Sequence, residues 1–402
     1  MSAPAKLPGS LNANRRLGRW LRFTPEQTVT VYTGKVEIGQ GIVTAMAQIA
    51  AEELDVALAQ VHMVSGDTAL TPNEGQTSGS RSIDEGGSAL RYACAEARYL
   101  LVQEAARRLD IPADRLSVAN GVITGLDRIR KLSYWELPHA ELLDRDATAA
   151  IKPKPAAHHT IVGSSAERLD IPAKATGAPR FVHDLELPGM LFGRVVRPPS
   201  YNARLVAFDA DAVRKLAGVV AVVRDGDFIG IVAAREEQAV KAREAAASAA
   251  QWQETPLPTD DAGIHDYLQS RETKDQVIVE RADAAARAGA TRSFEARYTR
   301  PYIAHASLGP SCALARVDGA RVEVWTHSQG VFPLRHDLAK VLELPAENIL
   351  VHHAEGAGCY GHNGADDVAL DAALLARAVP GRPVQVQWMR DDEFAWEPYG
   401  PA

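Results

Sequence analysis

The chain has 402 residues, 46% of them hydrophobic and 24% charged, an ordinary globular composition with room for two to four domains. A formal net charge of −7 gives no basic footprint for nucleic acid or an anionic membrane, and no apolar run approaches the ~18 residues of a membrane-spanning helix. Cys94, Cys312 and Cys359 lie far apart, which argues against a disulfide framework, a Cys-rich zinc site or an iron–sulfur cluster on this chain.

Residues 1–26 are rich in Pro, Gly, Asn and Arg and read as an irregular arm. Arg15-Arg16 hints at twin-arginine export, but LGRWLRF after it has no apolar core. The expected compartment is therefore the cytoplasm, with the periplasm left open. TVTVYTG (28–34) predicts a strand, and the apolar spacing of Val43, Ala47, Ala50 and Leu54 predicts a helix over 42–54. QVHMVSG predicts a second strand, and a long Ala-rich helix follows over 88–109.

Leu54-Asp55, Leu109-Asp110 and Leu342-Glu343 each end a helical run before a short turn and a strand. That repeat reads either as a common helix–turn–strand unit or as two related halves of one architecture. Residues 126–165, with KPKPAAHHT, read as a linker. Residues 166–260 read as a compact α+β domain with a hairpin at Asp225-Gly226 and a helix over 236–250. The rest predicts strands near EARYTR, CALARV and VEVWTH, a helix over 331–343, a strand over 348–353, a helix over 365–378 and a strand over 383–389.

Four segments carry candidate chemistry. Gly39-Gln40-Gly41 joins a strand to a helix N-terminus, where backbone N–H groups favour anions. Thr77, Ser78, Gly79, Ser80, Arg81 and Ser82 put hydroxyls and a guanidinium before a long helix, a combination suited to pyrophosphate. In WTHSQG a strand ends in a polar cluster that presents Gln329. GAGCYG (356–361) spells G-x-G-x-x-G between a predicted strand and helix.

A nicotinamide or flavin loop normally opens its domain and meets a ribose-binding acid ~20 residues on. Here the nearest strand-end acid, Asp391, stands some 35 residues beyond Gly356. Glycines at 356, 358, 361 and 364 exceed what a plain turn needs and suggest close approach of backbone to a ligand. His352, His353 and His362 lack the spacing of a zinc hydrolase, so no set of protein metal ligands is expected.

In this order the four segments resemble the molybdenum-binding subunit of the xanthine dehydrogenase/aldehyde oxidase family, in its isoquinoline 1-oxidoreductase β and nicotinate dehydrogenase branch. VEIGQG is similar to the family's pterin loop, TSGSRSID to its hydroxyl-rich segment, and HSQG to the strand-end Gln facing the metal's oxo ligand. GAGCYGHNGADD is similar to the glycine loop passing the molybdenum, with Gly358, Cys359, Tyr360 and Gly361 beside it. The resemblance implies an α+β fold, with mixed α/β molybdopterin-binding domains and an inserted α/β hammerhead domain. Its boundaries would be 1–125 for the first cofactor-binding segment, 126–165 for the linker, 166–260 for the hammerhead and 261–402 for an incomplete second cofactor-binding domain.

The resemblance also implies hydroxylation of an N-heteroaromatic or aldehyde carbon with water as oxygen donor. The cofactor would be molybdenum-molybdopterin, in the cytosine dinucleotide form, with electrons leaving to a [2Fe–2S] small subunit. Gln329 and Tyr360 would serve the metal centre, and residues 39–41, 77–82 and 358–361 would hold the cofactor. The family's Gly-Glu motif, with its general base, has no counterpart here, so a second chain or further sequence is expected to supply it. Gly309 in PYIAHASLGP stands where an acidic residue is expected. The alternatives are a non-catalytic cofactor-binding module and a nicotinamide dehydrogenase built on the 356–361 loop.

Overall fold

The N-terminal arm packs inward. Leu11, Leu17 and Trp20 are fully buried, each worth ~1.5–3 kcal/mol of hydrophobic stabilisation. Strand β1 (Leu21–Phe23) pairs antiparallel with β2 (Val29–Thr33), and β2 pairs parallel with β3 (Val61–Ser65). Between β2 and β3 runs α1 (Ile42–Leu54), which buries Met46, Ala47, Ala50 and Leu54 against α2 (Ser88–Leu109). The computed structural model describes residues 6–256, 260–365 and 368–400.

The stretch expected as a linker is part of this first unit. Strands β4 (Leu116–Ala119), β5 (Val122–Gly125) and β6 (Lys131–Ser133) form a meander. Tyr134 is fully buried, and its hydroxyl donates to the Leu54 carbonyl at 3.0 Å. The buried Glu52 carboxylate on α1 accepts the backbone N–H groups of Thr160, Ile161 and Val162 at 2.8, 2.6 and 3.1 Å. Those anchors sit at irregular spacing among Pro and Lys, so no period betrays them.

The second unit is a seven-stranded sheet in the order β14-β13-β12-β15-β7-β10-β9. Its strands are β7 (Leu191–Val196), β9 (Val219–Asp225), β10 (Phe228–Ala233), β12 (Cys312–Asp318), β13 (Arg321–Thr326), β14 (Ile349–His353) and β15 (Val384–Gln387). A separate pair joins β8 (Arg204–Phe208) to β11 (Ala250–Gln253) beside α3 (Glu236–Ala249).

Within residues 166–260, Val196, Val213, Val222, Ile229, Ile231, Ala242 and Ala246 form a small core of their own, but the sheet does not stop there. Parallel pairing of β7 with β15, Leu191 opposite Val384, makes one sheet of the two halves. Helix α5 (Val368–Arg377) packs across both. A Cβ at Gly193 or Gly230 would come within 2.7 or 2.3 Å of Leu375, so bare backbone on β7 and β10 is what lets the helix settle. Asp366 and Asp367, at the start of the expected helix, lie outside the described residues.

The strand expected at EARYTR is absent. Residues 271–300 are exposed throughout, and no strand pairs with them among the described residues. Without a ladder partner, apolar alternation does not make a strand.

The internal repeat is a structural repeat in two of its three instances. β2–α1–β3 and β13–α4–β14, with α4 spanning Val331–Leu342, are both parallel strand–helix–strand units. Asp55, Asp110 and Glu343 all end their helices in the left-handed region, at φ 54°, 54° and 55°. The two units meet tip to tip: Thr68 N–H donates to Val351 O at 3.0 Å and His353 N–H to Gly66 O at 2.8 Å.

Candidate functional site

Each parallel unit turns from strand to helix through Gln-Gly, at Gln40-Gly41 and at Gln329-Gly330. The two corners do different work. Gln40 is spent on its own loop: its Oε1 accepts from Ile38 N–H at 2.7 Å, and its Nε2 donates to Val36 O at 3.0 Å.

The anion expected at the first corner is built in. Glu37 Oε1 accepts from Gly39 and Gly41 N–H at 2.9 and 2.8 Å, and its Oε2 accepts from Val43 N–H at 3.3 Å. Gly39 and Gly41 adopt φ 104° and 83° to aim those donors. Arg168 lies 3.5 Å from the same carboxylate. These amides are therefore not free for a phosphate, contrary to the sequence expectation. A buried carboxylate satisfies them and holds the loop's shape.

The second segment divides in two. Thr77 is buried, its N–H donating to Gln329 O at 2.8 Å and its hydroxyl accepting from Val36 N–H at 3.0 Å. Beneath it the buried Lys35 ammonium donates to the carbonyls of Glu74 and Gln76 at 2.8 and 3.0 Å. Ser78, Gly79, Ser80 and Arg81 stand exposed, with Gly79 and Ser80 at φ 65° and 58°. Arg81 keeps an i,i+4 ion pair to Glu85 at 3.2 Å. Ser82 opens a π-helical turn, Ser82–Gly87, that feeds α2, a distortion common at functional sites.

Gln329 is where the motifs converge. Its Nε2 donates to Thr77 O at 2.7 Å, and its Oε1 accepts from the Cys359 thiol at 3.2 Å. Its backbone N–H donates to Asn363 O at 2.9 Å. One buried side chain thus holds the hydroxyl segment and the glycine loop together across 252 residues of sequence in one direction and 30 in the other.

Gly358 and Gly361 take φ 118° and 102°, and a Cβ at Gly358 would lie 3.0 Å from Leu308 N. Cys359 is buried, whereas Tyr360 is 70% exposed and left-handed at φ 56°. Among the described residues no helix starts at Gly361: a 3₁₀ turn, His362–Gly364, intervenes. The next strand, β15, is separated from β14 by β13 and β12 rather than lying beside it. That is not the layout of a dinucleotide fold.

Sequence reading missed several residues around Gln329. A cavity of about 410 Å³ is lined by Gln76, Ser328, Gly330, Pro333, Asp337 and Gly364. A Cβ at Gly364 would stand 2.5 Å from Gln76 Nε2, so the glycine keeps that wall thin. His353 spans Ser328 O at 3.1 Å and Glu37 O at 2.9 Å, linking the two corners. Burial, together with the neighbouring His362, pushes His327 down to about 3, so this ring is neutral and accepts from Cys312 N–H at 3.3 Å. Glu37 and Gln76 adjoin quoted motifs and were within reach of sequence reading. Arg168, against Gly41, had no local signal.

Residues 4–162 and 265–400 each match a family described as a molybdopterin cofactor-binding domain. Fold and site thus define a protein with two molybdopterin cofactor-binding domains. The chain belongs to the xanthine dehydrogenase/aldehyde oxidase family of molybdenum-binding large subunits. It is 39% identical to a nicotinate dehydrogenase subunit of Pseudomonas putida, over 96% of this chain and 33% of that one. It is 26% identical to the β subunit of isoquinoline 1-oxidoreductase of Brevundimonas diminuta, over 94% of this chain and 55% of that one. The chain therefore spans about a third to a half of the length of these relatives. An aldehyde oxidoreductase structure from Desulfovibrio gigas superposes with a TM-score of 0.51 at 16% identity, over 99% of this chain and 49% of that one, a likeness of fold. No helix among the described residues is long and apolar enough to cross a membrane.

Proposed function

We propose that this chain is the cofactor-holding portion of a molybdenum hydroxylase that acts on an N-heteroaromatic or aldehyde carbon. The observation that carries this reading is the double hydrogen bond of Gln329 to Thr77 O and the Cys359 thiol, beside a glycine-walled cavity. The cavity and the exposed Ser78–Arg81 donors fit a flat ring system with an anionic tail. The nearby His353 has both ring nitrogens spent on backbone carbonyls, which suits a metal carried by its cofactor rather than by side chains.

When bound, the metallopterin supplies two-electron oxidation of an electron-poor carbon with water as the oxygen source. The protein's share is positioning. Gln329 fixes the glycine loop against the 77–82 segment, and Cys359 and Gly361 would stand beside the metal. Ser78, Ser80 and Arg81 would hold the anionic tail, which we assign to a cytosine dinucleotide. Glu37 and Gln40 act one layer back, shaping the 39–41 loop. Tyr360, exposed and held left-handed, faces the incoming substrate. The name of the 39% identical relative favours an N-heteroaromatic acid as substrate. A [2Fe–2S] small subunit would be the electron acceptor.

The test is metal and nucleotide analysis of the protein purified with the product of its neighbouring gene. Molybdenum and a cytosine nucleotide near one per chain support the reading. A folded protein without either supports a non-catalytic module, and bound nicotinamide or flavin nucleotide overturns both.

A further inference from the structure

Behind the glycine loop lies a second group of side chains, three of them buried and one half-buried, that the cofactor reading does not use. His362 directly follows Gly361, and His305 comes from the segment leading into β12. Glu393 lies in α6 (Arg390–Trp396) and Glu397 one turn later, at its C-cap. Glu393 Oε1 is 3.0 Å from His362 Nδ1, and Glu397 Oε2 is 3.9 Å from His362 Nδ1 and 3.7 Å from His305 Nδ1. The two imidazole rings stack at 5.7 Å.

Backbone groups aim both carboxylates. Glu397 Oε1 accepts from His305 N–H and Glu393 Oε2 from Ser311 N–H, each at 2.8 Å, which turns the other oxygens toward the imidazoles. Both carboxylate side chains are 0% exposed. Yet Glu397 Oε2 and His305 Nδ1 make no hydrogen bond to the described residues. A buried carboxylate oxygen without a partner, next to a second buried carboxylate, is costly unless a cation neutralises the pair.

We propose that His305, His362, Glu393 and Glu397 form a closed site for one divalent cation, with Zn²⁺ the ion their chemistry selects. Two imidazole nitrogens and two carboxylate oxygens make a four-ligand set with a net ligand charge that one divalent ion cancels. A tetrahedral ion with bonds of ~2.0–2.1 Å spaces its ligand atoms ~3.3–3.5 Å apart. The separations of 3.0, 3.7 and 3.9 Å bracket that value. The ligand atoms of His362, Glu393 and Glu397 lie within 4.8 Å of one another, whereas His305 approaches only Glu397 and has to swing inward to complete the set. With His305 drawn in, four protein ligands leave no open position, so the ion is structural. It ties the exit of the 356–361 loop to α6 and to the segment before β12. Sequence reading expected no ligand set because the two glutamates stand about 30 residues beyond His362 with no motif joining them.

The test uses the full chain co-purified with its partner, stripped with chelator and reloaded with Zn²⁺ or Co²⁺. The expected result is one zinc per chain after gel filtration and an intense four-coordinate visible spectrum with cobalt. Glu397→Gln keeps an oxygen for His305 N–H and is expected to weaken zinc binding at least tenfold with unchanged circular dichroism. His305→Gln is expected to do the same, and serves where Glu397→Gln does not fold. His62→Gln, at an exposed histidine, is expected to change nothing. Folded wild-type protein that retains no zinc overturns the proposal and leaves two imidazolium–carboxylate pairs. Equal retention by Glu397→Gln and His305→Gln overturns it as well.

Discussion

Glu37 offers the sharpest check on how the first cofactor-side corner is held. If its carboxylate is the anion of the 39–41 loop, Glu37→Gln removes the charge while keeping one acceptor oxygen. Three backbone donors are affected, Gly39, Gly41 and Val43, at 2.9, 2.8 and 3.3 Å. Hydrogen bonds to a charged acceptor contribute ~1.5–3 kcal/mol and neutral ones ~0.5–1.5 kcal/mol, so each of the two shorter bonds loses about 1 kcal/mol. Glu37 is 4% exposed, so solvent screens little of this. A total near 2 kcal/mol is about a 30-fold change in the opening equilibrium of the loop. Hydrogen exchange followed by mass spectrometry on a peptide spanning residues 36–44 should show amide exchange faster by about that factor. The melting temperature should fall by roughly 4–8 °C on the same figure. If instead the 39–41 amides bind a cofactor phosphate, removing the competing carboxylate would raise cofactor retention and slow exchange. That result would refute the assignment of Glu37 as the internal anion.

Gln329→Ala strands both the Thr77 carbonyl and the Cys359 thiol, at a cost of ~1–3 kcal/mol, and molybdenum per chain should drop at least tenfold by elemental analysis. Unchanged molybdenum would remove Gln329 from the cofactor site. Tyr360→Gly should melt within about 1 kcal/mol of wild type, because an exposed left-handed tyrosine loses little packing and sheds strain. Turnover with the partner subunit should nonetheless fall, and a large loss of stability would show the ring to be packed. The Asp67–His352 pair at 2.9 Å predicts a pH window. Burial opposes both charges, but the His352 hydrogen bond holds Asp67 below its ordinary value, and the Asp67 hydrogen bond and charge hold His352 above its own. The lowered carboxylate adds stability above its unfolded pKa near 4 and loses it as pH falls through the folded value. The raised imidazole adds stability below its unfolded pKa near 6.5 and loses it as pH rises through the folded value. The stability difference between wild type and His352→Asn, read by urea unfolding, should therefore peak at about pH 4–6.5 and shrink on either side. A difference flat from pH 3 to 9 would count against the pair.

The local grammar of the chain was readable. The helix over 42–54 follows from its apolar spacing and that over 88–109 from its alanine content, and the acids at 55, 110 and 343 mark where each of three helices stops. The hairpin at Gly226 and the strand before the glycine loop follow from turn chemistry and alternation. What was not readable depends on pairings distant in sequence. Leu191 meets Val384 and so fuses two expected domains into one sheet, and nothing in either segment names the other. Tyr134 reaches the Leu54 carbonyl from a stretch whose composition reads as linker. Motif reading singled out the glycine loop and Gln329, which the structure brings into contact, but not the direction of the donors. The amides of 39–41 looked open to an outside anion because the spacing of VEIGQG does not reveal that Glu37 folds back onto them.

The repeat explains why only one of two equivalent glutamines reaches outside its own loop. Both units place Gln-Gly at the strand-to-helix corner, and both helices end on a left-handed acid. In the first unit the corner is closed by its own carboxylate, so Gln40 turns back to the backbone at Ile38 and Val36. In the second unit the residue at the matching place is Thr326, which brings no charge to the corner. Gln329 is then left to find partners outside its loop, and it finds them on Thr77 and Cys359. His353 ties the corners through Glu37 O and Ser328 O, so a shift in either loop is felt by the other. The asymmetry between one self-satisfied corner and one outward-reaching corner is what turns two copies of the same strand–helix–strand unit into a single site.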